Sequence, residues 1–175
     1  EIFADIGYLL LLINCILLGK NILKKAKPYK VFFAYNLTMF IIQMTSKVLF
    51  TLKMNNLFLS HFYFVFQFLL LSYFYYVLLE VQFQRKIIRI ALPTTLLLLS
   101  IHYAIEPELF FAFNLFEVFI STLPIVVFAV FHLYNLLNKE HYFYYTTIGL
   151  LIYLYGSTFL FLSYDLIMIL GDKQT

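Results

Sequence analysis

Apolar residues fill six stretches of this chain, and only short polar segments separate them. The run from Leu57 to Leu79 is typical: at ~1.5 Å per residue it is long enough to cross a bilayer core of ~30 Å. The pattern predicts an all-α fold, a polytopic transmembrane helix bundle in one domain over 1–175. Its helices are expected at about 2–19, 31–52, 57–79, 87–103, 110–137 and 142–170. The polar turn Lys53–Asn56 is so short that the second and third helices must be antiparallel neighbours. Pro93 either kinks the fourth helix or marks its first turn.

Composition agrees with the pattern. The 175 residues are 63% hydrophobic and 12% charged, against roughly 45–50% and about 25% in a soluble domain. The first apolar stretch has acidic Glu1 and Asp5 before it and lysines after it, so it reads as a retained helix and not as a cleaved signal peptide. Lys20, Lys24, Lys25, Lys27, Lys30, Arg85, Lys86, Arg89 and Lys139 fall on one side when loops alternate, nine of the twelve basic residues. By the positive-inside rule that side is cytoplasmic and the N-terminus is outside. Tyr29, Tyr75, Tyr76, Tyr134, Tyr142, Tyr144 and Tyr145 gather at the same boundary, where aromatic rings anchor. A seventh helix after Gly171–Thr175 would place the C-terminus inside.

Polar residues interrupt the apolar stretches, chiefly in one half of the bundle. Asn36, Gln43 and Lys47 lie at i, i+7 and i+11, a stripe that should face protein. Lys47, His61 and Glu117 sit at matching depth, roughly 8–11 Å below the outer boundary. A charge near the centre of a membrane helix costs at least ~2.5–3.5 kcal/mol, so Glu117 needs a partner. We expect Lys47 and Glu117 to pair, with His61, Gln67, Gln43 and Asn114 completing a ligand-binding pocket open to the outside. The alternative has Lys47 snorkelling, Glu117 protonated or bonded to a hydroxyl, and the polar groups fixing helix register.

Other chemistry is weaker. His102 and Glu106, at i, i+4, form a marginal metal pair; a surface pair is the simpler reading. His132, Glu140 and His141 read as solvated boundary residues, and Gly149 and Gly156 as places where the last helix approaches a neighbour closely. The chain has no HExxH, Gly-rich phosphate loop, G-x-S-x-G or CxxC, and its single cysteine, Cys15, lies in an apolar run. No catalytic residue, cofactor or nucleic-acid partner is expected, and an enzyme is disfavoured.

The run from Asn55 to Phe68, with His61 and Gln67, and the run from Phe143 to Phe161, with Gly149, Tyr153 and Gly156, resemble a family of small bacterial multi-pass inner-membrane proteins. The family often has Trp where Phe58 and Tyr144 stand and Glu where Gln67 stands. The resemblance brings no established activity. It implies location in the bacterial inner membrane, and similar membrane regions precede cytoplasmic signalling domains such as histidine kinases. The sequence points to a membrane sensor or ligand-binding input module, with a signalling partner inside and self-association left open. The second class is a small-solute transporter or ion-conducting protein, and the third a lipid-modifying membrane enzyme.

Overall fold

A computed structural model describes residues 2–137 and 142–172, with side chains over 5–137 and 142–163. The described residues form six α-helices: α1 (Ile2–Gly19), α2 (Lys27–Thr51), α3 (Phe58–Leu78), α4 (Gln82–Ile105), α5 (Leu115–Leu136) and α6 (Tyr144–Asp172). The predicted all-helical bundle is what forms, with no strand among the described residues. Four helices, Phe58–Leu78, Gln82–Ile105, Leu115–Leu136 and Tyr144–Ser163, are long and apolar enough to cross a bilayer. The apolar part of α1, Asp5–Gly19, is shorter, and α2 carries Lys27, Lys30 and Lys47 within its length.

Helix ends differ from the expected positions where polar residues extend or delay a helix. Pro28 needs no backbone N–H in a first turn, so α2 starts at Lys27 and not at 31. The fourth helix begins at Gln82, not 87, because its polar first turns are amphipathic. Gln84, Ile88, Thr95 and Leu99 make the buried face, and Pro93 lies inside the helix, on an exposed position. The fifth helix begins at Leu115, not 110; Pro107–Phe111 forms a separate 3-10 turn. The turn at 138–141, with Lys139, and the end at 173–175, with Lys173, lie outside the described residues.

The tight connection after α2 closes through two reverse hydrogen bonds, Met54 N–H to Leu49 C=O and Lys53 N–H to Phe50 C=O, both 3.0 Å. Lys53 holds φ 57, the left-handed position that glycine usually fills in such a helix end. Asn56 then donates to Ser46 Oγ at 2.9 Å, tying α3's approach to α2. As predicted, α2 and α3 pack as neighbours.

The centre of the bundle is the α3–α5 pair. In their apolar windows 44% and 50% of residues are buried, against 17% in α4 and in α6. Helix α2 packs on α3, α6 on α5, α4 against both central helices, and α1 on α2. The aromatic and aliphatic core, including Tyr35, Met39, Phe68, Leu71, Phe74, Tyr75, Phe128 and Ala129, fills the half nearest the basic loops. Outward faces carry Leu9, Ile13, Ile16, Leu97, Ile101, Leu123, Val127, Ile152 and Phe159, all exposed. Water would penalise such a surface, whereas lipid chains match it.

Basic side chains at the loop end lie on tyrosine rings: Lys25 Nζ is 5.0 Å from the Tyr29 ring, Lys27 Nζ 5.2 Å from Tyr73, and Arg85 5.5 Å from Tyr76. Tyr134 and Tyr145 are exposed, as boundary anchors should be, but Tyr75 is fully buried in the core. Position along a helix does not reveal which side of it a ring leaves from.

Candidate functional site

The polar half of the bundle is built from the start of α5. Asn114 caps that helix, its Oδ1 accepting from the Glu117 backbone N–H at 3.3 Å, while its Nδ2 donates to the Tyr103 hydroxyl at 3.3 Å. Glu117 therefore stands in the first turn, where the helix dipole favours negative charge. Its side chain is 1% exposed. Tyr103, from the last turn of α4, donates to Glu117 Oε2 at 2.8 Å. His61 Nδ1, from the first turn of α3, lies 2.5 Å from the same oxygen and 2.7 Å from the Tyr103 hydroxyl. Phe110 stacks on the imidazole at 5.2 Å between centroids, closing that side.

Three helices thus meet through one carboxylate oxygen. With Glu117 ionised and the imidazole neutral, the Nδ1–H and the tyrosine O–H both point at Oε2. That assignment leaves Glu117 Oε1 and His61 Nε2 as buried acceptors, and neither has a partner in the protein. Buried polar atoms are normally bonded, so each open atom is a place for a donor: water, an N–H or O–H of a ligand, or a proton. Moving one proton from Nδ1 to Oε2 and placing another on Nε2 would also satisfy the triangle. The cluster can hold a proton in more than one position.

The expected Lys47–Glu117 pair does not form. Lys47 Nζ bonds Asp5 of α1 instead, and its charge also lies over the Tyr8 ring at 5.0 Å. Depth had matched, but α2 turns Lys47 towards α1, while Glu117 faces α3 and α4. The hydroxyl in the alternative reading is real: it belongs to Tyr103. The predicted stripe on α2 splays accordingly, with Asn36 buried, Gln43 half-buried and Lys47 46% exposed in its side chain. Since both partners are open to their surroundings, Asp5→Asn should lower stability in detergent by less than about 1 kcal/mol. A larger loss on thermal unfolding would make the pair structural.

Gln43 belongs to a different place. It lies beside the Tyr63 hydroxyl, which bonds the Tyr153 hydroxyl of α6. This contact bridges a groove of about 430 Å³ between α2, α3 and α6. Gln67 is buried with its Oε1 unbonded. The six residues of the expected pocket therefore divide: His61, Glu117 and Asn114 come together, Gln43 lines the neighbouring groove, Gln67 is buried in the bundle, and Lys47 sits on the far flank. A separate cavity of about 1000 Å³ holds Lys47 with Asp5, Tyr8 and Lys53; the Asn56–Ser46 contact stands between it and the groove.

The weaker candidates fare differently. His102 packs its ring on Phe116 at 4.6 Å, and exposed Glu106 ends α4 through its backbone N–H to His102 C=O at 3.0 Å. Among the described residues no three His, Cys, Asp or Glu side chains converge as a metal site. His132 is not a solvated boundary residue: it is buried, with Nδ1 2.8 Å from Thr147 Oγ1. His141 and Glu140 lie outside the described residues. Gly149 and Gly156 mark no close helix approach, since a Cβ at either would meet nothing within 4 Å.

One member of the constellation, Tyr103, was missed from sequence; it carried no signal beyond its level in the helix. Asn114 and Glu117 were named, but their spacing, Asn114-Leu-Phe-Glu117, is also a helix-start signature, hidden by the apolar residues that precede it. No known protein family, curated protein or solved structure matches this chain. The site must be read from its own geometry.

Proposed function

We propose that this chain is a multi-pass membrane protein acting as a sensor or ligand-binding input module, with its receptive region in the half of the bundle opposite the basic loops. One observation carries the reading: the first turns of α3 present polar groups to two sides at once. Ser60 and Tyr63 face the groove towards α2 and α6, while His61 engages Glu117 and Tyr103 from α5 and α4. A ligand that shifts α3 in the groove would change the buried contacts on its other side, and α4 and α5 would carry the displacement to the basic end.

The test asks whether the buried cluster is a two-state clamp. In a Cys15→Ala background, spin labels replace Phe62 on α3 and Ile101 on α4, both exposed positions. Glu117→Gln should shift or broaden the distance distribution in nanodiscs. An unchanged, narrow distribution would leave α3 without an output and sink the sensor reading. The carboxylate oxygen of Glu117 shared by His61 and Tyr103 favours proton conduction as a second reading, tested by acidification of proteoliposomes loaded with a pH dye.

The six-pass arrangement, with the N-terminus outside and the lysine loops in the cytoplasm of a bacterial inner membrane, belongs to the same proposal. Cysteines at Lys25 and Glu106, both exposed, should label from opposite sides of intact cells. Labelling from one side would overturn it.

A further inference from the structure

We infer that the groove between α2, α3 and α6 is a binding site for an uncharged, hydroxyl-bearing lipid headgroup entering sideways from the bilayer. This rests on the ligand-binding reading above and names the ligand's chemistry.

The cleft follows from the packing. Helix α2 packs on α1 and α3, and α6 on α5, but among the described residues α2 and α6 share no extended interface. A gap is left between them, floored by α3. At the basic end aromatic contacts close it, with Tyr29 and Phe143 centroids 4.6 Å apart and Phe32 and Phe143 6.3 Å apart. At the other end it opens as the groove, and the Tyr63–Tyr153 contact crosses it.

The lining selects the guest. Gln43, Ser46, Asn56, Ser60, Tyr63, Tyr153 and Ser157 supply its polar atoms, and among the described residues no Asp, Glu, Lys, Arg or His lines it. Ser60 donates its hydroxyl hydrogen to Leu57 C=O at 2.6 Å, and Ser157 donates to Leu154 C=O at 3.1 Å. Their oxygens remain as acceptors, while Gln43 and one of the two tyrosine hydroxyls can donate, so the wall suits a guest that both donates and accepts. A phosphate would bring charge and acceptors with no cation to meet them: Lys47 lies in the neighbouring cavity, bonded to Asp5. An ammonium would find no carboxylate among the described lining residues. Hydroxyl groups fit both conditions.

The rest of the wall is apolar. Phe64, Phe113 and Phe161 face the cavity with Leu57 and Leu59, and Phe159 and Leu160 continue outside as exposed surface. A polyol alone would waste this surface; an acyl chain would cover it. The side opening gives the chain a route to stay in lipid while the head occupies the groove.

The probe is 1-monooleoylglycerol, compared with oleoyl lysophosphatidate, which has the same chain and a charged head, and with glycerol. Native mass spectrometry of the full chain in an amine-oxide detergent counts bound molecules. One monooleoylglycerol per chain is expected at a concentration at least tenfold below that needed for lysophosphatidate, with no retained glycerol. Ser157→Phe, which fills the groove, should reduce occupancy at least tenfold. Tyr153→Phe, which keeps the ring, should weaken it about three- to tenfold, the effect of one neutral hydrogen bond. Leu123→Phe on the outward face of α5 should change nothing. Equal binding of lysophosphatidate, retention of glycerol alone, or full occupancy in both Ser157→Phe and Tyr153→Phe would each overturn the proposal. The spin-label distance needs no ligand, so it can fail or hold independently.

Discussion

Glu117→Ala should produce the largest loss of stability of any single substitution in the polar half of the bundle. The change removes the oxygen that receives both His61 Nδ1 and the Tyr103 hydroxyl, and it leaves two donors buried without an acceptor. Each lost hydrogen bond to a charged acceptor costs roughly 1.5–3 kcal/mol, so the loss should reach about 3–5 kcal/mol, far above the ~0.6 kcal/mol average of neutral interhelical hydrogen bonds in membranes. Asn114→Ala, which loses a helix cap and a long hydrogen bond, should cost about 1 kcal/mol. Tyr103→Phe should fall between them, at about 1.5–3 kcal/mol, because its lost bond is to a charged group. The double variant His61→Phe/Glu117→Leu should cost clearly less than the sum of its single changes, since only the Tyr103 hydroxyl then lacks an acceptor. Unfolding in mixed micelles by titrated denaturing detergent measures these variants, with His61→Phe and Glu117→Leu as the singles. If Glu117→Ala cost no more than Asn114→Ala, the three-helix contact would not be a feature of the folded protein.

The helices were legible because length and apolarity act locally. A run such as Leu57–Leu79 must hydrogen-bond its own backbone in lipid, whatever its neighbours are. The depth of His61 and Glu117 was legible too, since it needs only a rise per residue. Partner choice was not, because it depends on rotation about each helix axis and on which helices touch. Lys47 shares the level of Glu117 yet turns towards Asp5 of α1; Tyr103 shares it and makes the contact. In a soluble helix an apolar stripe would reveal the buried face. Here lipid makes the outer face apolar as well, so the periodicity that orients a helix is nearly erased. Polar residues are the remaining markers, and they mark a face only where the neighbouring helix is known. The same limit explains His132, placed at the boundary by its level but turned inward to Thr147.

The second large effect is expected at Phe74, and it tests what holds the apolar half together. Phe74 is fully buried, with its ring centroid 5.4 Å from Phe32, 5.2 Å from Phe143 and 5.3 Å from Tyr75. In water, Phe→Ala costs roughly 3–5 kcal/mol, part of it from transfer of the ring out of water. That part shrinks when the unfolded helices already lie in lipid, where the driving force is packing. What stays is the cavity: a void of roughly 100 Å³ at about 24 cal/mol per Å³ gives about 2.4 kcal/mol. Lost edge contacts with aromatic neighbours add about 0.5–1.5 kcal/mol. Phe74→Ala should therefore cost about 3 kcal/mol, and Phe74→Leu distinctly less. Phe159→Ala is the matched control, because Phe159 is 70% exposed on α6 and trades protein contact for lipid contact at almost no cost. Equal losses at Phe74 and Phe159 would mean that the outward face of α6 is covered by protein, and the lateral opening of the groove beside it would close with it.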